Sequence, residues 1–344
     1  MKAVYINEPG GVDKLIYGDR PEPEPMENEV LIRVKASALN HLDLGLRAGR
    51  GRTSGGFPRI LGCDMAGVVE SVGSGVMDFS QGDRVLVDNR VKCDRCSYCI
   101  IGEDQFCANQ LRIGVDLDGG HADYCVVPYF NVYKVSEDIS FEEAAAMPLA
   151  FHTAWHCIMV KGKLQPWETI LIQAGGSGVG SAAIQIARLI GAKVITTAGT
   201  DEKIDNAIQI GAHHGINYNK HTEFSREVRD LNNGKLVDMV LDVVGATVWQ
   251  QNLLSIRAGG RLVITGTTSG TKAEIDLSLL TGKPLTLMGS GGRTRRSFKE
   301  MMNVINRGEL RGVVGKRFAM EDISLAHQAM EARDFFGKIV ILGN

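Results

Sequence analysis

The chain lacks the marks of several protein classes. Aromatic residues make up only 6% of its 344 positions, and neither charge is in excess: 38 Lys and Arg face 40 Asp and Glu, a formal charge of −2. Nucleic-acid and membrane-surface proteins normally carry a strong basic bias, so neither partner is expected. No long hydrophobic run is present. The longest uncharged stretch, 169–187, is broken by Gln173, Gly175, Gly176, Ser177, Gly178, Gly180, Ser181 and Gln185, so it is no membrane span. No charged-then-apolar leader opens the chain, because residues 1–6 run straight into Asn7-Glu8-Pro9-Gly10. A cytoplasmic protein is expected. A disulfide framework is also missing: the seven cysteines are an odd, scattered set.

What is abundant is glycine. Its 41 residues are about 12% of the chain, against a usual share near 7%. Glycine serves turns and close backbone approaches, a first pointer to a phosphate-binding loop.

Length suggests two domains. Residues 1–150 are β-rich, with short runs such as Val30-Leu31-Ile32-Arg33-Val34 and Arg84-Val85-Leu86-Val87 between Pro, Gly and Asp turns. Nothing there has helical period before the capping box of Ser140 and Glu143. From 151 to 290, apolar strands alternate with helical patterns, the mark of a parallel sheet covered on both faces. Residues 291–344 return to the first texture. The partition predicts a β-rich domain interrupted by a doubly wound one.

Within the second region, the strand 169–173 leads into Ala174-Gly175-Gly176-Ser177-Gly178-Val179-Gly180, and a helix is expected from Ser181. Strand, glycine turn and helix N-terminus in that order let backbone N–H groups and the helix dipole meet a pyrophosphate. Ser177 stands where the strict G-x-G-x-x-G pattern has its second glycine, and an ordinary βα turn is the competing reading. The next strand ends in Thr197-Ala198-Gly199-Thr200 with Lys203 one turn on. Small neutral residues and a cation suit a 2′-phosphate and favour NADP(H). Asp201 and Glu202 keep NAD(H) open.

The cysteine cluster is the most specific motif. Cys93-x2-Cys96-x2-Cys99-x7-Cys107 can close a tetrahedral site with no open position, a structural Zn2+ that ties down the lobe at about 90–110. An iron–sulfur cluster is the rival, but the last spacing and the missing following Pro differ from ferredoxin runs.

Together these features resemble the medium-chain dehydrogenase/reductase superfamily, the zinc-containing alcohol dehydrogenases and their quinone oxidoreductase relatives. The resemblance spans essentially the whole chain. Beyond the turn and the cysteines it rests on Asn40-His41-Leu42-Asp43, Leu61-Gly62-Cys63-Asp64, Gly82-Asp83-Arg84-Val85 and Phe336-Gly337-Lys338-Ile339-Val340. It implies an α/β chain in which a GroES-like β-rich catalytic domain, built from both ends, carries an inserted Rossmann domain. It also implies an NADP(H)-dependent enzyme moving hydride to or from a small carbonyl, enone or quinone, and a homodimer or homotetramer paired through the strand near 284–288.

The departures bear on chemistry. Where the family's catalytic-zinc ligands stand, this chain has Asn40, Cys63, Asp64 and Leu149, and the proton-relay hydroxyl is matched by Leu42. A metal-free reaction is therefore expected, with the Asn40 amide near the nicotinamide. Two alternatives stay open: an alcohol dehydrogenase whose altered metal site recruits Cys63 and Asp64 with His41 or His152, and a non-enzymatic dinucleotide-binding protein. His41 is also a candidate phosphate contact, and His152 reads more simply as a satisfied helix-end histidine. The resemblance adds Thr153, Tyr218, Val244, Gly266, Thr267 and Thr268 as cofactor contacts. Arg293, Arg295 and Arg296 read as a solvated helix start, and Cys125 and Cys157 as core thiols.

Overall fold

The structure is a computed structural model that describes residues 1–50 and 53–343. Its contacts divide the chain into two units: Met1–Leu149 with Phe298–Asn344, and Ala150–Ser297.

The first unit is built on a seven-stranded sheet. Its strands are β1 (Glu29–Ala38), β2 (Asp64–Val72), β3 (Arg84–Val87), β4 (Tyr124–Pro128), β5 (Val132–Lys134), β12 (Val314–Ala319) and β13 (Lys338–Leu342), with β6–β11 in the second unit. They run in the order β5-β3-β2-β1-β13-β12, with β4 also pairing β1. Alternating Val and Ile of β1, β2, β3 and β4 bury one face, where Val30, Ile32, Val34, Val69, Val85 and Val127 pack together. The return segment is integral to this sheet: β13 pairs antiparallel with β1, Val340 opposite Ala38.

Two short helices contradict the expectation of no helical structure before Ser140, one at His41–Arg47 and one of four residues at Ser97–Ile100 in the cysteine lobe. The helix α1 spans His41–Arg47, with Asn40 as its N-cap. Its seven residues include Gly45, too short and too interrupted to show a period. Local chemistry sets it instead. The buried Asp43 carboxylate accepts from the Asn40 N–H (2.8 Å) and from the Gly62 N–H (3.1 Å), fixing the helix start against the loop before β2.

The second unit is a six-stranded parallel sheet. Its strands are β6 (Thr169–Ile172), β7 (Lys193–Ala198), β8 (His214–Asn217), β9 (Val237–Asp242), β10 (Ile256–Ile264) and β11 (Thr286–Gly289). The order β8-β7-β6-β9-β10-β11 reverses direction beside β6, which makes the ends of β6 and β9 the topological switch point. The helices used below are α2 (Gly178–Ile190), α3 (Asp201–Gln209) and α4 (Trp249–Ser255). The helix α2 begins three residues before the expected Ser181, because Ser177 caps it by accepting from the Gly180 N–H at 3.0 Å. Leu171, Ile195, Val240, Leu253 and Leu262 form the buried core on one face.

Candidate active site

In the first unit, Asn40, Cys63, Asp64 and Lys338 meet in one buried cluster. Asn40 caps α1, Cys63 and Asp64 lead into β2, and Lys338 opens β13. The Lys338 Nζ donates to Asn40 Oδ1 (2.5 Å) and to Asp64 Oδ2 (3.0 Å). The Asn40 Nδ2 donates to Asp64 Oδ2 (2.9 Å) and lies 3.3 Å from Cys63 Sγ and from the Ala38 carbonyl. The Leu149 backbone N–H completes the Asp64 shell at Oδ1, 2.9 Å away. Asp64 has no exposed surface and the Lys338 side chain is 7% exposed, so the carboxylate is buried with a cation and two further donors. The expected Asn40 donor is thus committed, both amide hydrogens facing the protein.

The arrangement does not fit a catalytic metal. Such an ion needs about three protein ligands with lone pairs converging on one point. Here donors converge on the Asp64 carboxylate instead. Burial, with the Asp43 and Asp64 carboxylates nearby, pushes the Cys63 thiol well above its usual pKa. The two histidines that might complete the set have surroundings of their own. His41 is the exposed first residue of α1. His152 lies in the second unit, its Nε2 2.8 Å from the Ser297 hydroxyl and 3.1 Å from the Thr294 carbonyl. Lys338 was not singled out from the sequence. A lysine within Lys338-Ile339-Val340-Ile341-Leu342 reads as an edge-strand charge, and its burial was the only distinguishing sign.

The four cysteines do fit a metal. The sulfurs of Cys93, Cys96, Cys99 and Cys107 all lie within 4.8 Å of one another. The Arg95 and Cys96 backbone N–H groups lower the Cys93 pKa to about 6, while burial and the neighbouring cysteines raise that of Cys99 to about 12, so it is the convergence of four sulfurs that fits an ion. All four positions are protein sulfur, so an ion here would brace the lobe and take no part in turnover.

In the second unit, Gly175, Ser177, Gly178, Val179 and Gly180 form the turn from β6 into α2, at the switch point. A Cβ on Gly180 would come within 2.2 Å of the Ala174 carbonyl oxygen, so only glycine lets the helix start this close to the strand. With the Gly180 N–H held by Ser177, the Gly178 and Val179 N–H groups at the start of α2 lack intrahelical partners and are the donors a pyrophosphate needs. Beyond β7, Thr200 caps α3 by accepting from the Lys203 N–H (3.2 Å). Over Gly199 lies the Tyr218 hydroxyl, 2.7 Å from where a Cβ would be. Asp201 is turned aside: Oδ1 accepts from Asn217 Nδ2 (2.8 Å) and Oδ2 from Lys220 Nζ (2.5 Å).

The remaining candidates fall in several places. Thr197 is fully buried and its hydroxyl donates to Gln173 Oε1 at 2.6 Å, so it acts beneath the turn. The Val244 N–H donates to Asp242 Oδ1 (2.8 Å) in the turn after β9, while Gly266 follows β10 and Thr267 and Thr268 are exposed beside it. The Thr153 hydroxyl accepts from Arg293 Nη1 at 2.6 Å in a buried contact. Arg293, 7% exposed, is therefore no solvated helix-start residue as its sequence run implied. Cys125 and Cys157 are buried thiols with pKa values raised by burial, that of Cys125 to about 12.

Known proteins show the same architecture. Residues 26–137 match the alcohol dehydrogenase GroES-like domain family, and residues 178–307 match the zinc-binding dehydrogenase family. Acryloyl-coenzyme A reductase of Sulfurisphaera tokodaii is 28% identical, covering 99% of each chain. Human quinone oxidoreductase is 27% identical over 99% of this chain and 98% of its own. A crystal structure of an NAD-dependent alcohol dehydrogenase superimposes with a TM-score of 0.96 at 37% identity, covering 100% of both chains. All three are oxidoreductases, and a nicotinamide cofactor accords with the glycine turn. This chain belongs to the medium-chain dehydrogenase/reductase superfamily and is an oxidoreductase.

Proposed function

We propose that the chain reduces conjugated carbonyl compounds (enones, quinones or α,β-unsaturated thioesters) with NADPH, without a catalytic metal, and carries one structural zinc on its four cysteines. The observation that carries this reading is Lys338. Its cationic Nζ is bound by Asp64 and Asn40 in the cluster that matches the catalytic-zinc position of related enzymes. Two of its three N–H donors are used there, and the third is the donor left to meet negative charge on a substrate oxygen. One such donor is weaker than a divalent ion. It suits acceptors whose developing charge is delocalised over a conjugated system, as the name of the acryloyl-coenzyme A reductase relative also suggests.

The nicotinamide nucleotide supplies hydride; the chain's part is to hold it and to shape the acceptor's surroundings. Support for NADPH comes from Gly199, Thr200 and Lys203, with Tyr218 over Gly199. An acidic residue that reads ribose hydroxyls is missing from the end of β7, and Asp201 is engaged by Asn217 and Lys220. NADPH is expected to bind at least tenfold tighter than NADH, about 1.4 kcal/mol, and Lys203→Ala to narrow that gap. Equal affinities would show that Asp201 or Glu202 serves the ribose.

Turnover with NADPH across quinones, enones, enoyl thioesters, aldehydes and alcohols tests the reaction class. The proposal expects conjugated acceptors to lead by orders of magnitude in kcat/KM. Alcohol oxidation leading instead would favour the alcohol dehydrogenase reading that the 37% identical structure represents. No turnover with any acceptor would favour a non-enzymatic binding role. We also propose a homo-oligomer paired through β11, the edge strand of the second unit's sheet.

A further inference from the structure

Below the glycine turn, the second unit contains a one-directional chain of buried hydrogen bonds. The Ala174 N–H donates to Thr197 Oγ1 (3.2 Å), and that hydroxyl donates to Gln173 Oε1 (2.6 Å). Gln173 Nε2 donates to Asn252 Oδ1 (2.6 Å), and Asn252 Nδ2 donates to Asp242 Oδ2 (3.0 Å). The other carboxylate oxygen, Asp242 Oδ1, accepts from the Val244 N–H (2.8 Å) and the Gly245 N–H (2.9 Å). Thr197, Gln173, Asn252 and Asp242 are each 0% exposed. Every link donates toward the same buried carboxylate, so each polarises the next and both side-chain amides have a fixed sense.

The two ends of this chain are the two turns at the switch point. At one end Ala174 begins the glycine turn with φ of 53°, a left-handed conformation that a non-glycine residue adopts only when held. At the other end Gly245 has φ of 95° in the turn after β9. β6 and β9 are adjacent parallel strands, Ile172 opposite Leu241, so their C-terminal turns lie side by side. An apolar core would serve packing as well, since buried polar chains cost desolvation unless every member is satisfied.

We propose that Asp242, Asn252, Gln173 and Thr197 are one positioning unit, which holds the glycine turn and the turn after β9 in the shape that binds the dinucleotide. The inference rests on the nicotinamide reading of the glycine turn. Asn252, on α4, then controls cofactor affinity from a buried position, through Gln173 and Thr197.

The test is NADPH affinity by calorimetric titration, with thermal unfolding measured alongside. Thr197→Val keeps shape and removes the hydroxyl, and is expected to weaken Kd about tenfold. Thr197→Ser keeps the hydroxyl and loses a buried methyl, so it should lower the melting temperature yet bind within about threefold of wild type. A merely structural role would order these two variants by stability instead. Asn252→Leu should match Thr197→Val, and the double variant should bind within about threefold of the weaker single one, because one unit is broken only once. Wild-type affinity in Thr197→Val, equal losses in Thr197→Val and Thr197→Ser, or additive losses in the double variant would each overturn the proposal. Should Asn252→Leu fail to fold, the Thr197 pair decides alone. A wild-type protein that binds no nicotinamide nucleotide would overturn this inference together with the cofactor reading, and the first titration reveals that case.

Discussion

In the proposed reaction Lys338 supplies the donor that meets the acceptor's charge, and its removal has a directional consequence. Lys338→Met leaves Asp64 buried without its cation and removes the proposed donor. Loss of one preorganised donor typically costs about 10²–10³ in rate, so kcat/KM for a conjugated acceptor should fall by roughly that factor. NADPH affinity should change far less, because the glycine turn belongs to the other unit. Lys338→Arg should recover part of the loss. Equal activity in Lys338→Met would remove the residue from the mechanism. His121 offers a second single-residue test. Burial, then the neighbouring His327 and Lys338 charges, lowers its pKa from 6.5 to about 3, and Nδ1 meets the Ser37 hydroxyl at 2.8 Å. The unfolded chain gains this proton below about pH 6.5 and the folded chain excludes it until about pH 3, so stability from this group falls as pH falls through that window. Relative to His121→Gln, the wild type should lose about 1.4 kcal/mol per pH unit between pH 6 and 4 in urea unfolding. Parallel stability curves for the two proteins would contradict the burial argument. Asp43 works in the opposite sense, since burial raises its pKa to about 6 and its protonated form favours the fold. The substitution at His121 isolates one contribution from the other.

At the scale of elements, what could be read from sequence divides by the range of the forces involved. The parallel sheet and the glycine turn were legible because Thr169-Ile170-Leu171-Ile172 and Lys193-Val194-Ile195-Thr196-Thr197 are apolar strands, with turn chemistry and a helix between them. The capping box at Ser140 was legible too, and the Glu143 N–H reaches Ser140 Oγ at 3.2 Å. The short α1 was not, because what holds it is Asp43 accepting from Gly62, nineteen residues away. Arg293 and Lys338 were misjudged or passed over for the same reason: their burial depends on partners 140 or more positions distant. A charged residue shows its partner only in the fold. The cap of α2 gives this scale its prediction. Ser177→Ala removes the acceptor for the Gly180 N–H and should cost about 1 kcal/mol of stability in the second unit, read as an earlier denaturation transition. An unchanged transition would mean that the turn, and not the cap, sets the helix start.

For the molecule as a whole, the exposed edge of β11 and the cysteine lobe make separate claims. Light scattering should give a multiple of 37.3 kDa at micromolar concentration, and a monomer would leave the β11 edge without the proposed partner strand. Among the described residues, no helix is long and apolar enough to cross a membrane. The central claim of the proposed reaction is that metal braces the cysteine lobe and takes no part in turnover, with Lys338 supplying the donor in the cluster of Asn40, Cys63 and Asp64. The most direct measurement is the zinc content of extensively dialysed, active protein, followed by turnover after mild chelation. The account predicts about one zinc per chain, held by Cys93, Cys96, Cys99 and Cys107, with reduction of a conjugated acceptor unchanged by a chelator that spares the lobe. Two zinc ions per chain, with activity lost as the looser one is removed, would contradict it.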